Sequence, residues 1–221
     1  MRTIALLALL LLTLNVSAQR GAYDDGTRNY RRYDPTERIA IGISPLALLD
    51  TYNGSSYKGG ISIKPIKSLR ITADFGAYWP QLTRKLSFWD DMKGYNFRTS
   101  VGYYFFMMGD LSLGLDYQYK KQNFNYTDTV PNQPSFVAHV DKFVHVFNIY
   151  GSYDIDLALN LYFEIRLNLG IRYREITNDQ SDQLDDSVNW YDSYRGRITQ
   201  GKNFIPNINL AVRLNYVLWG G

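Results

Sequence analysis

Residues 157–173 alternate without a break. Leu157, Leu159, Leu161, Phe163, Ile165, Leu167, Leu169, Ile171 and Tyr173 take every odd position, and Ala158, Asn160, Tyr162, Glu164, Arg166, Asn168, Gly170 and Arg172 take the even ones. A helix turns about 100° per residue and would scatter these leucines and arginines around its circumference. A strand puts all nine apolar residues on one face, so the pattern predicts a long strand. The same alternation marks 111–120 (Leu111, Leu113, Leu115, Tyr117 and Tyr119 on one face), 207–218 (Ile208, Leu210, Val212, Leu214, Tyr216, Leu218) and 69–79 (Leu69, Ile71, Ala73, Phe75, Ala77, Trp79). Weaker versions run over 38–49, 56–64, 95–107 and 142–153. In the last, Phe143, Phe147 and Ile149 share a parity with His145, which leaves open which face is apolar. Eight strands result.

The connections differ by side. Tight turns are predicted at 65–68, 108–110 and 154–156, and longer polar connections at 50–55, 81–94, 125–141 and 176–202. In an up-and-down meander every second connection falls on the same rim. One rim therefore carries short turns and the other long loops, the asymmetry of outer-membrane barrels.

Composition narrows the classes further. The 221 residues include 19 Tyr, 11 Phe and 4 Trp, with mean hydropathy −0.30 and a net charge of +3. That is too aromatic for a disordered chain and too polar for a helical membrane protein. With no cysteine there is no disulfide, thiolate metal site or cysteine nucleophile. Near-balanced charge, 24 basic against 21 acidic residues, argues against a nucleic-acid partner.

The first residues read as an address. Arg2 supplies a positive start, residues 4–12 are an unbroken apolar run, and Val16-Ser17-Ala18 fits the small-residue cleavage pattern, so 1–18 is expected to be a secretory signal peptide. The run is too short to span a bilayer as a helix. Residues 19–36 are polar, with Gly21, Gly26 and Pro35, and read as a flexible periplasmic leader. Residues 37–219 form the expected barrel domain.

A soluble lipocalin-like barrel would also alternate. Two features favour the membrane: apolar faces of about 9 to 11 residues, the length of a tilted crossing, and aromatics near strand ends at headgroup height, namely Trp79, Tyr119, Tyr173, Tyr216 and Trp219. Backbone groups in lipid must be paired internally, which for strands requires closure. The predicted fold class is thus all-β, an eight-stranded antiparallel up-and-down transmembrane β-barrel. With its signal, its eight alternating strands, its short and long connections and a last strand ending in Tyr216 and Trp219, the chain resembles the small OmpA/OmpX-type outer-membrane barrels. More loosely, it is similar to uncharacterised outer-membrane β-barrel families of Bacteroidetes. The resemblance covers about 37–219 and is architectural. It implies location in a bacterial outer membrane, with lipid and lipopolysaccharide as surroundings and with the long loops outside, available to a surface protein or ligand.

An eight-stranded barrel is just wide enough for side chains to fill it. The polar faces nominate Arg70, Asp74, Arg98, Asp116, Lys120, Glu164, Arg166, Arg172 and Arg213 as a lumen charge network, structural in role, with acids and bases at similar depths. A narrow solute or ion channel is the alternative use of the same residues. Catalytic chemistry has a thinner basis. His139 lies near Asp141 and Ser135, as in enzymes that modify lipid A acyl chains, yet no acyl-transfer motif accompanies them. The loop 176–202 carries Asp179, Asp182, Asp185, Asp186 and Asp192, without the order of a calcium loop. No catalytic residue, metal or cofactor is expected. The reading is a non-enzymatic structural or surface-interaction barrel.

Overall fold

The structure, a computed structural model, describes residues 37–49, 56–66, 68–81, 90–105, 110–128, 136–158, 160–179 and 200–220. The expected signal peptide and leader lie outside the described residues. Eight antiparallel strands close on themselves in sequence order: β1 (Glu37–Ile43), β2 (Ser56–Ile66), β3 (Leu69–Tyr78), β4 (Asp90–Tyr104), β5 (Leu111–Asp128), β6 (Phe136–Ala158), β7 (Leu161–Asn178) and β8 (Gly201–Gly220). The fold is an all-β, eight-stranded, up-and-down barrel.

Several strand boundaries differ from the expectation. Residues 157–173 are not one strand: β6 runs on to Ala158 and β7 starts at Leu161, so 154–156 is strand and the connection falls between Ala158 and Leu161. Asp154 pairs with Glu164 and Asp156 with Tyr162. Partners whose numbers sum to an even total share a parity, so the odd face stays apolar through the hairpin and the alternation conceals the turn. The first strand ends at Ile43 rather than 49, because Pro45–Leu49 forms a 3-10 turn that lies against β2 and β8. Proline supplies no N–H to continue the ladder. β4 stops at Tyr104, short of the expected 107.

The long connections are also shorter than expected. β4 begins at Asp90, β5 reaches Asp128, β6 begins at Phe136, β7 reaches Asn178 and β8 begins at Gly201, so each takes residues from the loops assigned to 81–94, 125–141 and 176–202. Polar residues in these ends keep the ladder but not the apolar face, which is why they read as loop.

β1 is the short stave. Its last pair is Ile43 with Leu214, and Gly201–Arg213 pairs only with β7. Pro206 sits in that unmatched stretch, the position in a sheet that tolerates proline.

Candidate functional site

The outer wall is apolar and bare. Phe204 is 74% exposed, Ile208 73%, Leu115 67% and Ile149 65%, whereas Arg70 on the inner face is 2% exposed and Glu164 1%. On β6 the odd face, with Phe143, Phe147 and Ile149, points out, which resolves the ambiguity of that segment.

One aromatic row rings the wall on the long-loop side. Phe97, Tyr119, His145, Tyr173 and Phe204 are direct partners across β4 to β8. Tyr119 to His145 is 5.1 Å between ring centres, His145 to Tyr173 6.0 Å and Tyr173 to Phe204 5.0 Å. Tyr57 stacks on Trp79 at 4.7 Å nearby. Immediately beyond this row come Lys121, Glu175 and Lys202. Lys202 pairs with Glu175 at 3.2 Å, both side chains open to solvent.

At the other rim stand Tyr103 and Phe105, edge to face at 5.9 Å, with Tyr153 and Tyr216. Between the rows, no described outward position carries a charge. His145 and Tyr117 answer each other's polarity, Tyr117 Oη to His145 Nδ1 at 2.9 Å. Taken from His145 to Ile155, at about 3.3 Å per residue and a tilt of about 40°, the band is about 25 Å tall.

Tyr119 and Tyr173 are thus placed in the row, but well inside their strands, which overshoot it. Trp79 follows the end of β3, and Tyr216 lies at the turn-side rim. Of Trp219 only the backbone, in β8, is described.

The lumen divides into two halves. In the turn-side half, bases and acids interlock. Arg70 grips Asp154 with both terminal nitrogens, at 3.2 and 2.5 Å, and lies 3.7 Å from Glu164. Tyr104 Oη donates to the same Asp154 at 2.9 Å. Arg166 donates to Glu164 at 3.0 and 2.5 Å and to Ser100 at 3.0 Å, and its guanidinium lies 4.0 Å from the centre of the Tyr150 ring. Asp116 accepts from Arg98 Nε, from Asn148 at 2.7 Å and from Gln118 at 3.0 Å. Arg213 reaches Asp74 at 3.1 Å and Ser62 at 2.5 Å.

Glycines make the room for these side chains. A Cβ at Gly42 would strike the Arg213 guanidinium, and one at Gly102 would strike the Tyr150 hydroxyl.

The loop-side half gathers basic side chains. Lys58, Lys120, Lys142, Arg172 and Arg174 project inward from β2, β5, β6 and β7, around two adjoining cavities of about 410 and about 340 Å³. No described residue lining either cavity is Asp or Glu. Arg172 donates to Asn207 at 2.6 Å and Arg174 to Asn203 at 2.5 Å. Nearer the loops, Tyr78, Met92, Phe124, Ala138, Val140 and Ile176 form a buried apolar cluster.

All nine nominated lumen residues face inward, but not in one network. Arg70, Asp74, Arg98, Asp116, Glu164, Arg166 and Arg213 are buried and joined as above. Lys120 and Arg172 are half-buried and line the cavities instead. Sequence reasoning missed Asp154, hidden in the misplaced turn, and Lys58, Lys64, Lys142 and Arg174, whose even numbering was the available signal.

His139 is exposed. Its ring meets Asn125 Oδ1 at 2.9 Å and Asn123 Nδ2 at 3.1 Å, and Asn123 in turn donates to Asp141 at 2.8 Å. Ser135, like most of the acidic segment 176–202, lies outside the described residues.

No family model and no curated protein matches the chain. Among solved structures, the chain is similar to a major outer membrane protein from Thermus thermophilus, at 11% identity and a TM-score of 0.36, covering 80% of this chain and 99% of that one.

Proposed function

We propose that this chain is a non-enzymatic barrel of a bacterial outer membrane. In this reading it is exported by the signal at 1–18, embedded through its apolar band, and presents its loop-side ends to the exterior. One observation carries the reading: the inside and outside are exchanged relative to a soluble barrel, with charges within and isoleucine, leucine and phenylalanine on the outside. In water such a wall is an apolar patch far larger than a monomer sustains. In lipid it is the favoured face, and the two aromatic rows mark where hydrocarbon gives way to headgroups. The surroundings are then outer-membrane lipid and lipopolysaccharide, and a surface protein or ligand would be met by the loops. The interlocked lower lumen is a plug in this reading, and the role is structural or surface-interacting rather than conductive. The likeness to small OmpA/OmpX-type barrels and to Bacteroidetes barrels is one of architecture.

Two measurements test it. In isolated outer membranes the protein should run differently on gels before and after boiling in detergent, as a closed barrel does, and in planar bilayers it should give no steady conductance. Recovery in the soluble periplasmic fraction with unchanged mobility would refute the membrane reading. Steady conductance with a normal mobility shift would keep the membrane and replace the plug by a channel.

A further inference from the structure

The wall has a notch. Followed across the ladder from Ile43 through β2 to β7, the register arrives at Phe204 of β8, yet Ile43 itself pairs with Leu214, ten residues further along. A stagger of that size over eight strands belongs to a steeply tilted barrel. Because β1 stops at Ile43, the stretch of β8 above Leu214 has no described strand on one side. That stretch crosses the apolar band: Ile208 and Leu210 pair with Leu169 and Leu167, which stand exposed in the wall. The larger cavity, of about 410 Å³, lies in this notch and touches Asn209, Leu210, Ala211 and Val212 in unbroken succession. Side chains along a strand alternate between faces, so a space bordered by four consecutive residues lies against the strand's edge and not on one face of it. The other edge is taken by β7, with Asn209 to Val212 paired to Asn168 to Ile165. The cavity therefore stands where a longer β1 would run. Ser44 and the 3-10 turn residues Leu46 and Ala47 form its opposite lip, and Ser56, Asn96 and Gln118 border its lumen end.

We propose that the notch is a lateral binding site for a single-chain lipid with a hydroxylated head, of which a monoacylglycerol is the simplest form. The space is apolar where it meets the wall, between the exposed Leu46 and Leu210, and polar where it enters the lumen, which is the division an amphiphile has. Asn96 points independently to a ligand. It is 5% exposed, its amide lies so close over Gly76 that a Cβ there would strike it, and its Oδ1 has no hydrogen-bond partner among the described residues. Buried amide oxygens are seldom left without a donor, and a head-group hydroxyl supplies one. Ser56 and Gln118 flank the same end, so the head need carry no charge. At the mouth, the unladdered edge of β8 offers backbone groups within the same space, suited to an ester. The place of one strand is about 4.8 Å wide, which passes one acyl chain and not two. The rest of the chain then lies along the wall, so the site rests on the reading of that wall as embedded in lipid. Its volume is within the range of small-ligand sites.

The experiment is photolabelling of the full-length protein in phosphatidylcholine vesicles, with a monoacylglycerol that carries a diazirine in its chain close to the ester, the labelled residues being read by mass spectrometry. Saturable labelling centred on 45–47 and 209–212 is expected. Unlabelled monoacylglycerol should compete at least about tenfold better than the methyl ester of the same fatty acid, which has no hydroxyl. Asn96→Leu should remove that preference, and Ala47→Trp, outside the ladder, should cut saturable labelling at least about tenfold. Leu115→Trp, elsewhere on the wall, should label as the parent does. Boiled and unboiled mobility checks that each variant has folded, and Ala211→Phe serves if Ala47→Trp has not. Labelling that does not saturate, that spreads evenly round the wall or that persists in the filled variants overturns the site while a normal mobility shift keeps the membrane reading. Equal competition by the methyl ester overturns the hydroxylated head. A parent protein with neither labelling nor a mobility shift removes the site and the membrane reading together.

Discussion

Glu164 is where two guanidiniums converge, with Arg166 in bonding contact and Arg70 3.7 Å away, all three within a few per cent of complete burial. Removing a single partner from such a cluster leaves the others charged and dry, at a cost of about 3–5 kcal/mol. Glu164→Gln should therefore lower the unfolding free energy by about 3 kcal/mol, read by urea denaturation of the protein in phospholipid vesicles. Converting the pair together, Glu164→Gln with Arg166→Met, should recover much of the loss, because the orphaned cation goes too. An unchanged midpoint for the single variant would mean that water reaches this depth and the lower lumen is no plug.

At the scale of elements, the turns carry their own electrostatics. Asp110, in the β4–β5 connection, has its carboxyl pKa raised, first by partial burial and then by Asp156 and Asp154 close by. A folded-state pKa above the unfolded one favours folding fully at low pH and loses that contribution as pH rises through the folded value. Asp110→Asn should thus stabilise the protein slightly at neutral pH, with the gain vanishing as the carboxyl becomes protonated in acid. Denaturation midpoints of parent and variant at the two pH values provide the check, and equal effects at both would remove Asp110 from the account.

The elements themselves were largely legible from alternation, because burial on one side of a pleat imposes period two and nothing else in the chain does. What failed were ends. The hairpin between β6 and β7 keeps its parity, so no pattern break marks the turn, and Asp154 went unrecognised as a lumen residue. The overshooting ends of β5, β6 and β7 lie beyond the aromatic row, where the outer face turns mostly polar and the apolar residues Phe124, Val140 and Ile176 face inward, so the parity of the strand bodies is lost. The charged lumen was readable at the seven residues of the lower network. The basic chamber was readable only at Lys120 and Arg172, since Lys58 comes from the weak segment 56–64 and Lys142 and Arg174 from strand ends, and only the register brings Lys58, Lys120 and Arg174 to one level.

For the molecule as a whole, the exposed band makes a demand that no soluble protein makes. Leu115 is 67% exposed at the middle of the wall. On a water-facing surface Leu115→Arg would shift stability by less than about 0.5 kcal/mol. At the midplane of a bilayer it should cost about 2–4 kcal/mol, falling toward the rims. Folding equilibria in vesicles, compared with the same substitution at Tyr216 near the rim, give the measurement. A flat profile between the two sites would place the barrel outside lipid.

The shortness of β1 also sets the tempo of assembly. Every hairpin in the ring joins neighbours in sequence, but the join between the first and last strands brings together Ile39 and Trp219, and it holds through few pairs, with two register shifts among them. Bringing ends so far apart into contact costs on the order of 5 kcal/mol in chain entropy before any bond rewards it. That join is expected to form last, and until it closes, β1 and β8 offer raw edges on which another copy could template. The seven residues from Glu37 to Ile43 decide whether the ring completes or the chain aggregates.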